Sequence, residues 1–505
     1  MNARGPLLAL GGVTIALAAC GAQSSTSSRT ASLHPPRPAA RQAATAAIPA
    51  GDWPQFNFTA QRAGVGPNDT GITTADVSRL RLRRVTLPGV DDGSAIELHA
   101  IAIKGRRRDV LIVTTTYGRT LAADAATGQT LWEFTPSDIG SYQGSARITT
   151  ATPTADPDRR YVYATSPDGV VHKLAVATGR QVRSGGWPVT VTFDPTREKL
   201  ASPPSIDGSS LIVVTDGYFG DTPHYEGHVV KIDRATGRIE AVFNSLCSNR
   251  RVLIDPPSLC PASDSAIWGR AGAVVQPSGD ILVATGNGAF NGSTDWGDSV
   301  LQLSPNLQLL HNWTPTDQQQ LNAEDQDLGS TSPALLPDDL AVQGGKSGEL
   351  NLLNLNALDG TTGPAGPRTG GQLQTISAPG PTAVFSEPAV WTSSAGRTYV
   401  FVADAAGTAA YVLGADHRLN VAWKDSTPGT SPVIAGGLLY VYNEIGGAIE
   451  IRRPADGAQL ASLPVGTGHW STPIVVGGRI ILPTGGSIAD NAGSGPLDIY
   501  HLPGR

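Results

Sequence analysis

Short apolar runs recur along the chain, each flanked by turn-forming residues. They include Tyr161-Val-Tyr-Ala, Leu211-Ile-Val-Val, Ile281-Leu-Val-Ala, Tyr399-Val-Phe-Val and Leu439-Tyr-Val-Tyr. Runs of four to six residues bounded by Gly, Pro, Asn and Asp, and rich in β-branched and aromatic side chains, read as buried strands. Each is followed by an alternating strand, a short turn closing on glycine, and a further strand. The copies are Leu121-Ala-Ala-Asp124-Ala-Ala-Thr127-Gly128-Gln-Thr-Leu-Trp132, Lys173-Leu-Ala-Val-Ala-Thr178-Gly179 and Lys231-Ile-Asp233-Arg-Ala-Thr236-Gly237. More degenerate copies begin at Leu301 and Ile449, the latter with Asp456-Gly457. Glycine supplies the left-handed residue that such a hairpin loop requires. Each apolar run is preceded by a proline-marked strand, at Thr152-Pro153, Pro203-Pro204, Ser332-Pro333, Glu387-Pro388, Ser431-Pro432 and Thr472-Pro473.

The unit is therefore a four-stranded antiparallel meander, the blade of a β-propeller. The central strands begin near residues 110, 161, 211, 281, 340, 399, 439 and 479, which predicts eight blades over residues 51–505. The last copy lacks an outer strand after Tyr500, and Leu80-Arg-Leu-Arg-Arg-Val-Thr-Leu87 stands alone before the first blade. Pairing these N- and C-terminal strands would close the ring and remove an exposed edge. The predicted fold class is thus all-β. Composition agrees: Gly and Pro together make 97 of 505 residues, charged residues only 16%.

The first fifty residues follow a different logic. Residues 1–19 read as a signal peptide, with a short basic start and an apolar stretch ending Leu17-Ala18-Ala19 before Cys20. Leu17-Ala18-Ala19-Cys20 resembles the lipobox of bacterial lipoproteins. This implies an exported protein whose Cys20 carries lipid and anchors it to the cell envelope, on the periplasmic face of an outer membrane or at the cell surface. Gly21, in place of an acidic residue, resembles the pattern sorted outward in a two-membrane bacterium. Residues 20–50 carry Arg but no acid and read as a flexible tether. The remaining chain holds 33 basic and 43 acidic residues, a net charge of −10 behind the overall −6. That balance excludes a nucleic-acid partner. Cys247 and Cys260, the two cysteines left, are expected to form a disulfide, as suits an exported protein. No C-x-x-C spacing or nearby third ligand supports a metal or redox dithiol there.

The D-x-x-T-G-x-x-x-W pattern, with Asp52-Trp53-Pro54-Gln55-Phe56 and Asn68-Asp-Thr-Gly71-Ile72, resembles the pyrroloquinoline-quinone-like (PQQ-like) repeat family. So do Ile267-Trp268-Gly269-Arg270, Ala284-Thr-Gly-Asn287-Gly288 and Val342-Gln-Gly-Gly-Lys346-Ser-Gly. The family includes quinone-dependent alcohol and sugar dehydrogenases and non-enzymatic envelope lipoproteins. The resemblance implies that Trp132, Trp187, Trp313 and Trp423 wedge between blades.

Polar and aromatic residues just before the inner strands face the axial funnel, where the family's enzymes hold cofactor. Those in question are His99, Arg147, Lys199, Trp268, Arg270, His469 and Trp470, with Lys346 from a neighbouring loop. By resemblance, Asn287 and Glu387 would hold Ca²⁺, Asp325 or Asp327 would act as base, and PQQ would lie against His99, Arg147, Trp268, Arg270, Lys346, His469 and Trp470. The opposing reading is a polar channel mouth with internal salt bridges. No vicinal Cys-Cys and no C-x-x-C-H haem attachment is present, which weighs against the enzyme.

His224-Tyr-Glu226-Gly-His228 would place three metal-capable side chains on one face of a strand; with no other ligand in view it reads as a solvated edge. Gly345-Lys346-Ser347 resembles a phosphate loop, but Leu340 stands where that loop needs glycine. Long connections near 244–268, 286–298, 314–330 and 357–385 would serve as a substrate lid or a docking surface. The expected function is an extracytoplasmic, lipid-anchored, monomeric propeller binding an envelope protein or small ligand. The alternative is a PQQ- and calcium-dependent dehydrogenase of alcohols or sugars.

Overall fold

Thirty-two strands group into eight four-stranded antiparallel sheets, each a meander of sequential neighbours, and the eighth is completed by the N-terminal strand. The computed structural model describes residues 47–360, 368–486 and 493–503. The expected signal peptide, the lipidated Cys20 and the tether as far as residue 46 lie outside them. Blades 1 to 7 span residues 96–134, 154–190, 205–244, 274–313, 334–377, 389–425 and 433–464. Blade 8 combines Ile474–Val476, Arg479–Pro483 and Gly495–His501 with Arg81–Leu87. The second strands begin at residues 106, 161, 210, 281, 340, 398, 438 and 479, within a residue of the expected starts except in blade 1.

The ring closes as the terminal strands predicted. Arg81 pairs with His501 and Leu87 with Gly495, antiparallel throughout. A bidentate ion pair reinforces the seam: Arg84 donates from Nε to one oxygen of buried Asp498 at 2.6 Å, and from Nη2 to the other at 2.8 Å. Such fork-to-fork pairing fixes register as well as adding energy. Arg479 of blade 8 reaches Glu97 and Asp109 of blade 1, the latter at 2.7 Å.

The apolar core lies between adjacent blades. Ile96, Ile112, Trp132, Val162 and Leu174 form one such cluster between blades 1 and 2; each seam from blades 2–3 to 6–7 has its own, and one larger cluster fills both seams that flank blade 8. The repeat motif explains the fit. Gly128, Gly179, Gly237 and Gly457 all take φ between 70° and 75°, closing their hairpins as expected. Three of them also receive a tryptophan from the preceding blade. A Cβ on Gly179 would stand 2.6 Å from the Trp132 ring, one on Gly457 2.6 Å from that of Trp423, and one on Gly237 2.7 Å from the Trp187 backbone nitrogen. Each indole N–H then donates to a backbone carbonyl of the next blade: Trp132 to Val176 at 2.7 Å, Trp423 to Pro454 at 2.8 Å, Trp187 to Arg234 at 3.3 Å. Trp313 packs instead against Leu355 and Leu358, where the repeat has lost its glycine turn.

Before the ring begins, residues 53–70 cross its centre. Trp53 exchanges backbone bonds with Glu97 of blade 1, and Pro54 accepts from Ala155 of blade 2. Ala60 accepts from Val275 of blade 4, Ala63 from Val390 of blade 6, Gly64 from Ile434 of blade 7, and Thr70 from Gly478 of blade 8. Blade 3 is reached by a side chain. Fully buried Arg62 donates to the Pro204 carbonyl at 2.9 Å and to Ser205 Oγ at 2.6 Å, and folds back on the Phe56 carbonyl at 2.7 Å.

Cys247 and Cys260 form the expected disulfide, in the connection between blades 3 and 4. No helix among the described residues is long and apolar enough to cross a membrane.

Two stability effects follow. Trp132→Ala should cost about 3–5 kcal/mol, read from the shift in urea midpoint, because it empties a seam that Gly179 is shaped to fill. A loss under about 1 kcal/mol would contradict that packing role. Replacing both Cys247 and Cys260 with serine should cost about 3 kcal/mol by loop entropy, and an unchanged midpoint would remove the disulfide from the account.

Candidate functional site

In a meander blade, the turns joining strands 2 and 3 and the connections to the next blade lie on one face; the remaining turns lie on the other. By this rule Arg147, Lys199, Trp268, Arg270, Asn287, Asp325, Asp327, Lys346, Glu387, His469 and Trp470 all belong to one face. His99 does not. It sits at a bulge inside the first strand of blade 1, where its Nδ1 lies 2.7 Å from Asp109 and its N–H donates to Asp52 at 2.7 Å. Arg159 closes that group from the opposite side, 3.0 Å from Asp52. An open cleft of about 430 Å³ between blades 1 and 2 flanks it, lined by Ala100, Arg159 and Tyr161, far from the axial mouth.

At the mouth, three partly exposed rings meet. Trp268 lies 5.8 Å from Phe385 and 6.2 Å from Trp470, and Phe385 stacks on Trp470 at 5.6 Å. His469 stacks on Trp470 at 4.0 Å. Beneath them Arg270 is buried; it donates to the carbonyls of Asp92 and Trp470, both at 3.1 Å, and its guanidinium stands 5.9 Å from both the Trp470 and Phe56 rings. Arg270 therefore ties the mouth to the axial segment. His469 Nδ1 pairs with Asp92 Oδ2 at 2.7 Å, and the Trp470 N–H donates to Asp92 Oδ1 at 2.9 Å. Burial opposes ionisation of Asp92, but His469 and Arg270 outweigh it and hold the carboxyl below its ordinary range. Asp91, buried without such a partner, is pushed up to about 7.

Beside Trp268 stands a second group. Lys346 Nζ lies 5.6 Å from the Trp268 ring, pairs with Asp325 at 2.8 Å and also with Asp327. Burial would lower the Lys346 pKa, but the two carboxylates raise it, so the ammonium stays charged. Asp327 Oδ1 accepts the Asn287 N–H at 2.7 Å. Gly286 is pressed between the Asp327 carboxylate and the Trp268 indole, where any side chain would collide. The loop bearing Asn287 is held from behind by Gln318, the first residue of the short helix Gln318–Ala323, which donates to the Gly288 carbonyl at 2.9 Å and to Asp298 at 3.3 Å.

The residues expected to work together thus divide. Trp268, Arg270, Lys346, His469 and Trp470 converge with Asn287, Asp325 and Asp327. Arg147 does not join them: it donates to the carbonyls of Pro167 and Pro195, both at 3.1 Å, and binds the connections of blades 1 to 3 to one another. Lys199 lies in a small ribbon pairing Glu198–Lys199 with Asp216–Gly217. Glu387 is fully buried; one carboxylate oxygen takes the Ser332 N–H at 3.0 Å and the other has no hydrogen-bond partner. Burial raises its pKa far above the carboxylate range despite the Ser332 N–H and Arg62. Glu387 belongs to the axial segment's surroundings, and it shares no partner with Asn287. The pair expected to hold calcium is therefore not assembled, and the hard oxygens near Asn287 already face an ammonium. The free volume bordered by Arg270, Phe385, Glu444 and Trp470 is about 50 Å³, and Trp268 is not part of its lining. Phe385, Asp91 and Asp92 are the mouth residues not anticipated, although the Asp pair obeys the same rule of position before an inner strand. Of the long connections, residues 244–268, 286–298 and 314–330 lie on the mouth face; of 357–385, the described residues before the outer strand Gln374–Ser377 of blade 5 lie on the opposite face and residues 378–385 on the mouth face.

Asp298 makes the site's support pH-sensitive. It is fully buried, accepts the Leu328 N–H at 3.1 Å, and burial pushes its pKa up to about 8, where the unfolded chain has an ordinary carboxyl near about 4. A raised carboxyl stabilises the fold fully below its unfolded pKa, and that contribution is lost as pH rises through its folded pKa. The melting temperature should fall as pH rises from about 4 to about 8, and Asp298→Asn should flatten part of that fall. An equal fall in the variant would contradict this assignment.

The family model described as outer membrane protein assembly factor BamB matches residues 91–241. No curated protein matches the chain in sequence. Among solved structures, the quinohemoprotein alcohol dehydrogenase of Comamonas testosteroni superposes with TM-score 0.65 at 14% identity, covering 92% of this chain and 82% of that one. The quinohemoprotein alcohol dehydrogenase ADHIIG of Pseudomonas putida HK5 gives TM-score 0.66 at 14% identity, with 90% and 81% covered. A europium-containing methanol dehydrogenase gives 0.64 at 15%, with 90% and 98% covered. At these identities the likeness is one of fold. Blade count and superposition agree: this chain is an eight-bladed β-propeller, of which residues 91–241 match the family model.

Proposed function

We propose that this protein is an exported, lipid-anchored binding module that holds an envelope protein partner at its axial mouth. The observation that carries the reading is the state of the mouth: three partly exposed aromatic rings, two of which, Phe385 and Trp470, border a cavity of about 50 Å³, beside the ion pairs of Lys346 with Asp325 and of His469 with Asp92. Enclosing a small molecule takes a pocket of about 300 Å³ or more, whereas a cluster of aromatic rings beside Arg and Lys suits the centre of a protein interface. That choice favours the protein over the small ligand among the expected partners. Leu17-Ala18-Ala19-Cys20 and the Cys247–Cys260 disulfide support export and anchoring.

A second reading keeps the PQQ- and calcium-dependent dehydrogenase. What favours it is the convergence of Asn287, Asp325, Asp327 and Lys346 beside Trp268. What stands against it is that Glu387 is buried and shares no hydrogen-bond partner with Asn287, and that Asp325 and Asp327 already pair with Lys346.

One experiment separates the two. A photo-crosslinking residue is placed at Phe385, and another at Lys104 on the opposite face, in the full chain expressed in its own envelope. The same protein, purified, is offered PQQ and Ca²⁺ with alcohols, sugars and a redox dye. The binding reading expects one discrete adduct from position 385 and none from 104, with Trp470→Ala weakening that adduct by about tenfold or more. Quinone uptake at one equivalent, with dye reduction lost in Asp327→Asn, would overturn it; so would equal adducts from both faces.

A further inference from the structure

Glu198, Glu226 and His228 meet in the interior beside blades 2 and 3, apart from the axial mouth. They come from two places in the chain: Glu198 from the connection leading into blade 3, Glu226 and His228 from the turn and third strand of blade 3. Each is at most 1% exposed, and one ligand-capable atom from each lies within 4.8 Å of the others. The strand motif His224-Tyr-Glu226-Gly-His228 is therefore not a solvated edge. Its last two members are buried, and the third partner is Glu198 in place of His224.

The hydrogen bonds around the cluster set its chemistry. Asn244 donates its amide hydrogens to the carbonyls of Arg250 at 2.9 Å and Val252 at 3.1 Å, which turns its Oδ1 toward His228. His228 Nδ1 then donates to Asn244 Oδ1 at 2.8 Å. That leaves Nε2 facing Glu198 Oε1 at 3.2 Å. In the neutral imidazole this nitrogen carries a lone pair, so two acceptors face each other unless a proton or a metal cation stands between them. Glu198 is itself held: its other oxygen takes the Thr192 hydroxyl, and Oε1 takes the Glu226 N–H at 3.3 Å. Glu226 adds the independent sign. Its side chain is wholly buried, and neither carboxylate oxygen has any hydrogen-bond partner. A buried carboxylate left bare costs several kcal/mol, and charged groups at such depth are paired or bind metal.

We infer that Glu198, Glu226 and His228 form a binding site for one divalent transition-metal ion of the zinc class. Two carboxylates and a neutral imidazole offset a charge of two. Zinc bonds of about 2.0–2.2 Å at tetrahedral angles separate neighbouring ligand atoms by about 3.3–3.6 Å, close to the 3.2 Å between His228 Nε2 and Glu198 Oε1. Glu226, free of other bonds, supplies one oxygen or both, and a water completes the shell. Asn244 plays the outer partner that fixes a ligating histidine's tautomer. Lying between the connection that leads into blade 3 and that blade's third strand, the ion would hold residues 191–204 against blade 3.

The full chain, produced without a polyhistidine tag, is stripped with chelator, reloaded with zinc sulfate, passed through gel filtration and assayed by elemental analysis. About one zinc per chain is expected, with a rise in melting temperature on loading. Glu226→Gln, which keeps shape, and His228→Ala should each weaken zinc binding at least about tenfold, and Asn244→Leu by about 10–100-fold. Near-UV circular dichroism confirms that each variant is folded. Wild-type protein that retains no zinc overturns the site, as does a folded Glu226→Gln that retains as much as wild type. A wild type that stays zinc-free with an unchanged melting temperature would assign the cluster to a protonated His228 paired with Glu198.

Discussion

The structure depends on a segment that belongs to no blade. Residues 53–70 run across the centre of the ring and trade backbone hydrogen bonds with the inner strands of blades 1, 2, 4, 6, 7 and 8, while Arg62 reaches blade 3. Inner strands of a propeller have one side facing the axis, with backbone groups that need partners in a place where water is scarce. Several of these strands are only two or three residues long, as in Thr154–Ala155 and Val274–Val275. The crossing segment supplies the missing partners. The seams between blades supply the apolar burial, and the pairing of Arg81–Leu87 with Gly495–His501 closes the circle.

The chemistry of the mouth follows from this arrangement. Arg62 enters the axis as an uncompensated cation, and burial lowers its pKa to about 9 although Glu387 faces it. Glu387, which by family resemblance would hold a metal at the mouth, is thereby drawn into the axial packing. Arg270 is fixed above by Phe56, a residue of the same segment. What remains open is an aromatic surface beside charges that pair within the chain, Lys346 with Asp325 and His469 with Asp92. Such a surface is ready to exclude water against a partner, and its own ion pairs need not be broken to do so.

The repeating parts of this molecule were legible in the sequence because they are local. A glycine in a four-residue turn and a tryptophan a few positions on carry hairpin and seam together, so eight blades and the closing strands could be read without knowing any distance. The mouth was half legible. Position before an inner strand selected Trp268, Arg270, His469 and Trp470, which meet at the mouth, and would have selected Asp91 and Asp92 had it been applied before blade 1. It failed for Glu387, Arg147 and His99, because it cannot say how deep a side chain lies or what reaches it from elsewhere. Glu198 was invisible as the partner of Glu226 and His228 for the same reason. It arrives from a separate connection, and nothing in the spacing of one strand announces a ligand about thirty residues upstream.

The most direct test of the account is hydrogen exchange, resolved by mass spectrometry, on the amides of the axial segment and of the strands that donate to it. The amides of Trp53, Gly66, Ala155, Val275, Val390, Ile434 and Gly478 are all engaged in these bonds. If the crossing segment organises the ring, they exchange together and only through global unfolding. Peptides covering residues 53–70 that exchange well ahead of the inner strands would contradict the claim that the fold is built around them.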